Sequence, residues 1–194
     1  MLLVGLSGYA QSGKDTLAGF WKEDHGFQTL AFADPLRELL YQLDPVVHTD
    51  NETFDFTRLS WVIDSLGWDK AKGTADKSPL GVRAHLQRLG LAARSVLGPS
   101  LWVDALVPRI TASLLNGGDV VITDVRFPNE AQAIKDLGGL ILRIERPGTG
   151  PVNQHPSETS LDSYRFDAYV QNDSTLGRFR HTADVSLEFL RALN

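Results

Sequence analysis

The strongest constraint in this sequence is the run Gly8-Tyr-Ala-Gln-Ser-Gly13-Lys14-Asp15-Thr16. It follows the apolar stretch Leu2 to Leu6 and precedes a helical pattern in which Leu17, Ala18 and Trp21 share a face. A strand, a Gly-x4-Gly-Lys loop and a helix, in that order, make a phosphate-binding P-loop. The two glycines let the backbone curl so that the amides from Gln11 through Ser12 and Gly13 to Thr16 converge on one anion. The N-terminus of the helix lies behind them. Lys14 then reaches the outer phosphates of a nucleotide as a point charge. The strict motif places Ser or Thr directly after the lysine; here Asp15 stands there and Thr16 follows. A carboxylate is a good oxygen ligand for Mg2+, so metal-nucleotide binding survives the change, with either Asp15 or Thr16 facing the metal.

Composition narrows the class. A chain of 194 residues suits one sizeable domain, 1–194, with its own core. A hydrophobic share of 42% with 22% charged residues is that of a soluble globular protein. The formal net charge of −5 argues against a general nucleic-acid binder, while leaving room for arginines around a small anionic substrate. The absence of cysteine excludes a disulfide framework and any cysteine metal site. The N-terminal apolar run is too short for a secretory signal and lacks a basic flank. No stretch approaches the ~20 apolar residues of a membrane span. A cytoplasmic protein with neither membrane nor nucleic-acid partners is expected.

Along the chain, apolar runs alternate with helical patterns. Strands are expected at Leu2 to Leu6, Phe27 to Phe32, Val120 to Asp124, Leu140 to Ile144 and Ala168 to Gln171. Asp34 is placed to cap a helix from Pro35 to about Leu43. Residues 44–56 are acidic and turn-rich without periodicity. A short helix from about Arg58 is expected to end at Gly67, and Ser78-Pro79 to open another running from about Leu80 to Leu97. In that helix Val82, Leu86, Leu89, Ala93 and Val96 are spaced to face a core. Arg83, Gln87, Gly90 and Arg94 form a second stripe, which suits either a solvated face or a grip on phosphate and base edge. Further helices are expected over Leu101 to Leu115 with a kink or break at Pro108, near Asn129 to Leu137, and from Ser174 to about Leu193. The Gly- and Pro-rich segment 146–163 reads as a flap. Such alternation implies a parallel α/β sheet covered on both faces, with ligands at the C-terminal strand ends, where Gly8, Asp34, Asp124 and Asn172 fall. Asp124 also suits the metal-holding acidic residue of a P-loop site, although strand-end aspartates also make turns.

Several separated motifs accompany the loop: Phe32-Ala-Asp-Pro-Leu-Arg37, Leu86-Gln-Arg-Leu-Gly90 with Arg94, Thr123-Asp-Val-Arg-Phe-Pro-Asn-Glu130, His155-Pro-Ser-Glu158 and Asn172-Asp173. Together with Gly-Tyr-x3-Gly-Lys-Asp-Thr they resemble the phage-type deoxynucleoside monophosphate kinases over nearly the whole chain. The resemblance implies an adenylate-kinase-like P-loop fold with a five-stranded parallel sheet. In it the first strand lies between the Asp124 strand and the fourth, with the second at the edge. It implies transfer of the γ-phosphoryl of ATP to a deoxynucleoside monophosphate, in a host cytoplasm if phage-encoded, and it is compatible with a homodimer. Segment 34–102 would bind the acceptor and 146–163 would form the lid. The chain departs from the family at Leu91-Ala-Ala93, where a Thr-Glu-type pair is usual.

On this reading Gly8, the amides of residues 11–16 and Lys14 hold the ATP phosphates. Mg2+ is held through Asp15 or Thr16, with Asp124 in the outer shell. Arg37, Arg83, Gln87 and Arg94 grip the acceptor. Asp34 either orients an arginine or acceptor hydroxyl or serves as a helix cap. Arg126 and Arg146 balance charge on the transferring group, and Asn172 shapes the adenine end. Trp102, like Trp61 and Trp68, suits packing, and of the three it is the candidate for contact with the acceptor. For His155 and Glu158, lid packing or hydrogen bonding is favoured over a metal site. The rival readings are a dephospho-coenzyme A kinase on the same scaffold and a non-catalytic ATP-binding sensor.

Overall fold

The apolar run at the N-terminus becomes the centre of a sheet because both of its faces are covered. In the computed structural model, which describes residues 1–49, 56–73, 80–151 and 156–194, the chain divides into two compact units. One comprises Met1–Phe32 with Val103–Asn194, the other Ala33–Trp102.

The first unit holds strands β1 (Leu3–Ser7), β2 (Gln28–Leu30), β5 (Val120–Ile122), β6 (Leu140–Glu145) and β7 (Ala168–Gln171). All pair in parallel, in the order β2-β5-β1-β6-β7. This is the expected order, with β1 between β5 and β6 and β2 at an edge. Alternate residues serve opposite faces, as the pleat requires. Leu2, Val4 and Leu6 join Leu17 and Trp21 of α1 (Lys14–His25) and Phe179, Leu187 and Leu190 of α8 (Leu176–Leu193). Leu3, Val120, Ile122 and Ile141 join Leu106 and Ile110 of α5 (Leu101–Leu115) and Ile134 of α6 (Pro128–Asp136). Each such aliphatic side chain, once buried, contributes about 1.5–3 kcal/mol. The buried indole of Trp21 keeps its polar atom satisfied by donating to the Ala183 carbonyl at 3.0 Å. Among the described residues no helix is long and apolar enough to cross a membrane.

The second unit is helical, with α2 (Asp34–Leu43), α3 (Leu59–Ala71) and α4 (Val82–Leu97) packed around Leu40, Val47, Leu59, Val62 and Val82. Several features depart from the sequence reading. The stretch expected to be irregular contains an antiparallel pair, β3 (Val46–His48) with β4 (Phe56–Arg58). Gly67 does interrupt the helix as expected, at φ +73, but a second helical piece follows it within α3, to Ala71. Asp34 is not a cap: α2 begins at Asp34 itself, and its carboxylate pairs with Arg37 one turn on, at 3.0 Å. On α4, Val82 is buried and Leu86 and Leu89 pack on the core as expected, but Val96 is 79% exposed. Trp61 is 64% exposed rather than packed, whereas Trp68 lies against the core. Ser78 and Pro79, expected to open α4, lie outside the described residues.

Candidate active site

The loop between β1 and α1 can exist only because of its glycines. Gly8 turns at φ +150, and a Cβ there would run into the Ile144 carbonyl and the Ser12 hydroxyl. Gly13 stands at φ +106 immediately before α1, where a Cβ would lie 2.5 Å from the Asn172 amide nitrogen. The loop is braced from outside itself. The Asn172 side chain donates to the Ser12 carbonyl at 2.9 Å, and Arg146 donates to the Gln11 carbonyl at 3.4 Å. Asn172 and Arg146, expected at the nucleotide, therefore touch the phosphate loop directly. The Ser12 hydroxyl is buried without a hydrogen-bond partner among the described residues.

Lys14, the first residue of α1, is 9% exposed, and its ammonium donates to the carbonyls of Gly8 at 2.7 Å and Tyr9 at 2.8 Å. Burial, and after it the positive charge of Arg126, pushes its pKa down to about 8. The carboxylates of Asp15, Glu158 and Asp124 act in the opposite direction. Asp15 and Thr16 lie exposed in the first turn of α1. Asp124, just past β5, accepts from the Phe32 amide at 2.7 Å, which ties the C-terminal ends of β5 and β2 together. Arg126 follows on the same rim. Its own amide donates to Glu130 Oε2 at 2.8 Å, and its guanidinium donates to Glu158 Oε1 at 3.1 Å. One end of one unit thus gathers a P-loop lysine, an arginine and several carboxylates, together with backbone amides at a helix N-terminus. Such a set neutralises and aligns polyphosphate oxygens.

Of segment 146–163, Glu158 belongs to the short helix α7 (Pro156–Thr159), and Leu161 is buried in the core. His155 lies outside the described residues.

The remaining candidates belong to the second unit. Asp34 and Arg37 form their ion pair at the start of α2. Arg83 and Gln87 are exposed on α4, while Arg94, half-buried, donates to the Pro99 carbonyl at 3.2 Å. Gly90 is buried, and a Cβ there would lie 3.2 Å from the Leu36 side chain, a tight contact. Trp102 is 5% exposed and its indole donates to the Gly90 carbonyl at 3.3 Å, so its polar atom is engaged inside the unit.

Sequence reasoning passed over a cluster beside the loop. Arg143, in β6 and in register with Ser7, is buried against the Tyr9 ring at 4.7 Å and the Phe166 ring at 5.4 Å. It also lies 3.8 Å from Asp162. The Tyr9 hydroxyl donates to the same Asp162 at 2.8 Å, which holds the phenol above its usual pKa. The signal was present: an arginine inside the apolar run Leu-Ile-Leu-Arg-Ile marks a buried charge that needs partners.

Comparison with known proteins identifies this arrangement. The sequence profile of the deoxynucleotide monophosphate kinases matches residues 69–182. The chain belongs to the deoxynucleotide monophosphate kinase family. A protein of Acanthamoeba polyphaga mimivirus, provisionally assigned as a deoxynucleotide monophosphate kinase, is 30% identical over 92% of both chains. An uncharacterised protein, ORF77 of Ictalurid herpesvirus 1 (strain Auburn), is 41% identical over 54% of this chain and 47% of its own. Among solved structures, the dephospho-CoA kinase of Campylobacter jejuni superposes with a TM-score of 0.51 at 10% identity, over 97% of this chain and 96% of that one. A sugar kinase of Janibacter sp. HTCC2649 gives 0.50 at 14%, over 97% and 95%. At such identities the likeness concerns the fold alone, which is that of the P-loop kinases. As a member of the deoxynucleotide monophosphate kinase family the protein is a phosphotransferase, a nucleotide kinase that uses ATP.

Proposed function

We propose that the protein transfers the γ-phosphoryl group of ATP to a deoxynucleoside 5′-monophosphate, releasing ADP and a deoxynucleoside diphosphate. An acceptor phosphate oxygen attacks the γ-phosphorus while the bond to the β–γ bridging oxygen breaks. The observation that carries this reading is the glycine loop before α1, braced by Asn172 and holding the buried Lys14 ammonium on the carbonyls of Gly8 and Tyr9. Phosphoryl transfer asks for alignment and charge neutralisation rather than covalent help, and two buttressed cations at a ring of amides supply both.

The loop fits a triphosphate. Glycine at residues 8 and 13, where a Cβ would strike the Ile144 carbonyl, the Ser12 hydroxyl or the Asn172 amide, permits the tight curl that a phosphate loop needs, and the buried Ser12 hydroxyl has no hydrogen-bond partner among the described residues. Mg2+ suits the same place. Asp15 or Thr16, with Asp124, would hold it, and when bound it draws charge off the phosphate oxygens. Among the described residues no three His, Cys, Asp or Glu side chains form a cation cage, so phosphate and water would complete its shell.

Arg37, Arg83, Gln87 and Arg94 are the side chains we assign to the acceptor, since guanidinium forks suit a monophosphate. Asp34, bonded to Arg37, is read as orienting that arginine. Trp102 is read as shaping the acceptor region through packing.

The test is ADP release from Mg-ATP with dTMP, dGMP, dCMP and dAMP, the matching ribonucleotides and dephospho-coenzyme A. Stimulation by at least one deoxynucleotide above the ATP-only rate is expected. A response to dephospho-coenzyme A alone would replace the acceptor, and a flat panel with ATP still bound would leave a nucleotide sensor.

A further inference from the structure

Arg126 is held at both ends by carboxylates. At its root, the amides of Arg126 and Phe127 both donate to Glu130 Oε2, at 2.8 and 3.1 Å, and Glu130 is 2% exposed. At its head, the guanidinium meets Glu158, whose side chain is 13% exposed against 42% for the arginine. An arginine that exposed would otherwise sample many rotamers. A guanidinium carries five donors, so a single bond to Glu158 leaves another edge of the fork for phosphate oxygens.

We propose that Glu158 is a positioning residue of the phosphoryl-transfer site, aiming the Arg126 guanidinium. This rests on the reading that Lys14 and Arg126 serve phosphoryl transfer, and it assigns α7 a role beyond packing.

The experiment compares wild type with Glu158→Gln and Glu158→Ala, each checked for an unchanged melting temperature. It measures kcat and KM for both substrates at neutral pH, and ATP binding by calorimetry without acceptor.

For Glu158→Ala we expect kcat to fall about tenfold to a hundredfold, the range of a misplaced transfer group, with KM for ATP at neutral pH little changed. Glu158→Gln, which can still accept from Arg126, should recover part of kcat. Wild-type kcat in Glu158→Ala, or a loss of kcat that Glu158→Gln does not partly restore, overturns the proposal in favour of simple packing. No stimulation of wild type by any acceptor is a separate result, which removes the kinase reading and this proposal with it.

Discussion

Raising the pH from 7 to 9 should disable ATP capture without unfolding the protein. An ordinary lysine titrates at 10.5, whereas Lys14 titrates at about 8 because burial and Arg126 disfavour its charge. Its charged fraction then falls from about nine tenths at pH 7 to about one tenth at pH 9. If the ammonium is what binds the phosphates, kcat/KM for ATP drops roughly tenfold over that interval, and about tenfold more per unit beyond. The assay is initial ADP release at subsaturating ATP and saturating deoxynucleotide, where kcat/KM reports the free enzyme. Stability moves the other way. The folded pKa lies below the unfolded one, so between about 8 and 10.5 the unfolded chain binds the extra proton. The contribution of this group to stability therefore rises with pH through that window. A melting temperature that falls in step with activity would point to general unfolding. A kcat/KM that stays level from pH 7 to 9.5 would refute the depressed lysine outright.

Two substitutions separate the nucleotide side from the acceptor side. Asn172→Ala removes the 2.9 Å bond to the Ser12 carbonyl, worth about 1 kcal/mol, so the Kd for ATP should rise roughly fivefold by calorimetry while KM for the deoxynucleotide holds. Arg83→Ala should raise KM for the deoxynucleotide about tenfold, as loss of a charge-assisted contact would, and leave ATP binding alone; equal effects on both substrates would remove Arg83 from the acceptor site.

The elements legible in the sequence were those with one dominant physical cause. β1 and β5 are buried on both faces and read as unbroken apolar runs. The glycine loop was legible because its chemistry tolerates few alternatives. The β3–β4 pair was not: each strand has three residues, too few to show alternation. α7 has four residues inside a proline-rich stretch, too short for any helical period. Val96 misled because the periodicity of α4 continues into its last turn, where Val96 and Leu97 are both largely exposed. At the site, sequence could nominate Lys14, Asp124 and Arg126 one by one. It could not show what braces them. Asn172 meets Ser12 across 160 residues, and Arg143 meets Ser7 across 136. Such pairs come from strand register, which a linear pattern does not encode.

The placement of β1 at the middle of the sheet has a consequence for synthesis. Of the five strands of the sheet it is the first to leave the ribosome, yet its neighbours β5 and β6 begin only at Val120 and Leu140. Even the amide of Leu2 waits for Asp119, 117 residues later in the chain. Throughout that interval Leu3–Ser7 is an apolar strand with both edges unpaired, the kind of segment that associates with other chains. The contiguous stretch Ala33–Trp102 has emerged in full before the first of those partners appears. The phosphate loop, hung on the end of β1, is therefore made before most of the sheet it depends on and is among the last parts to take its final form.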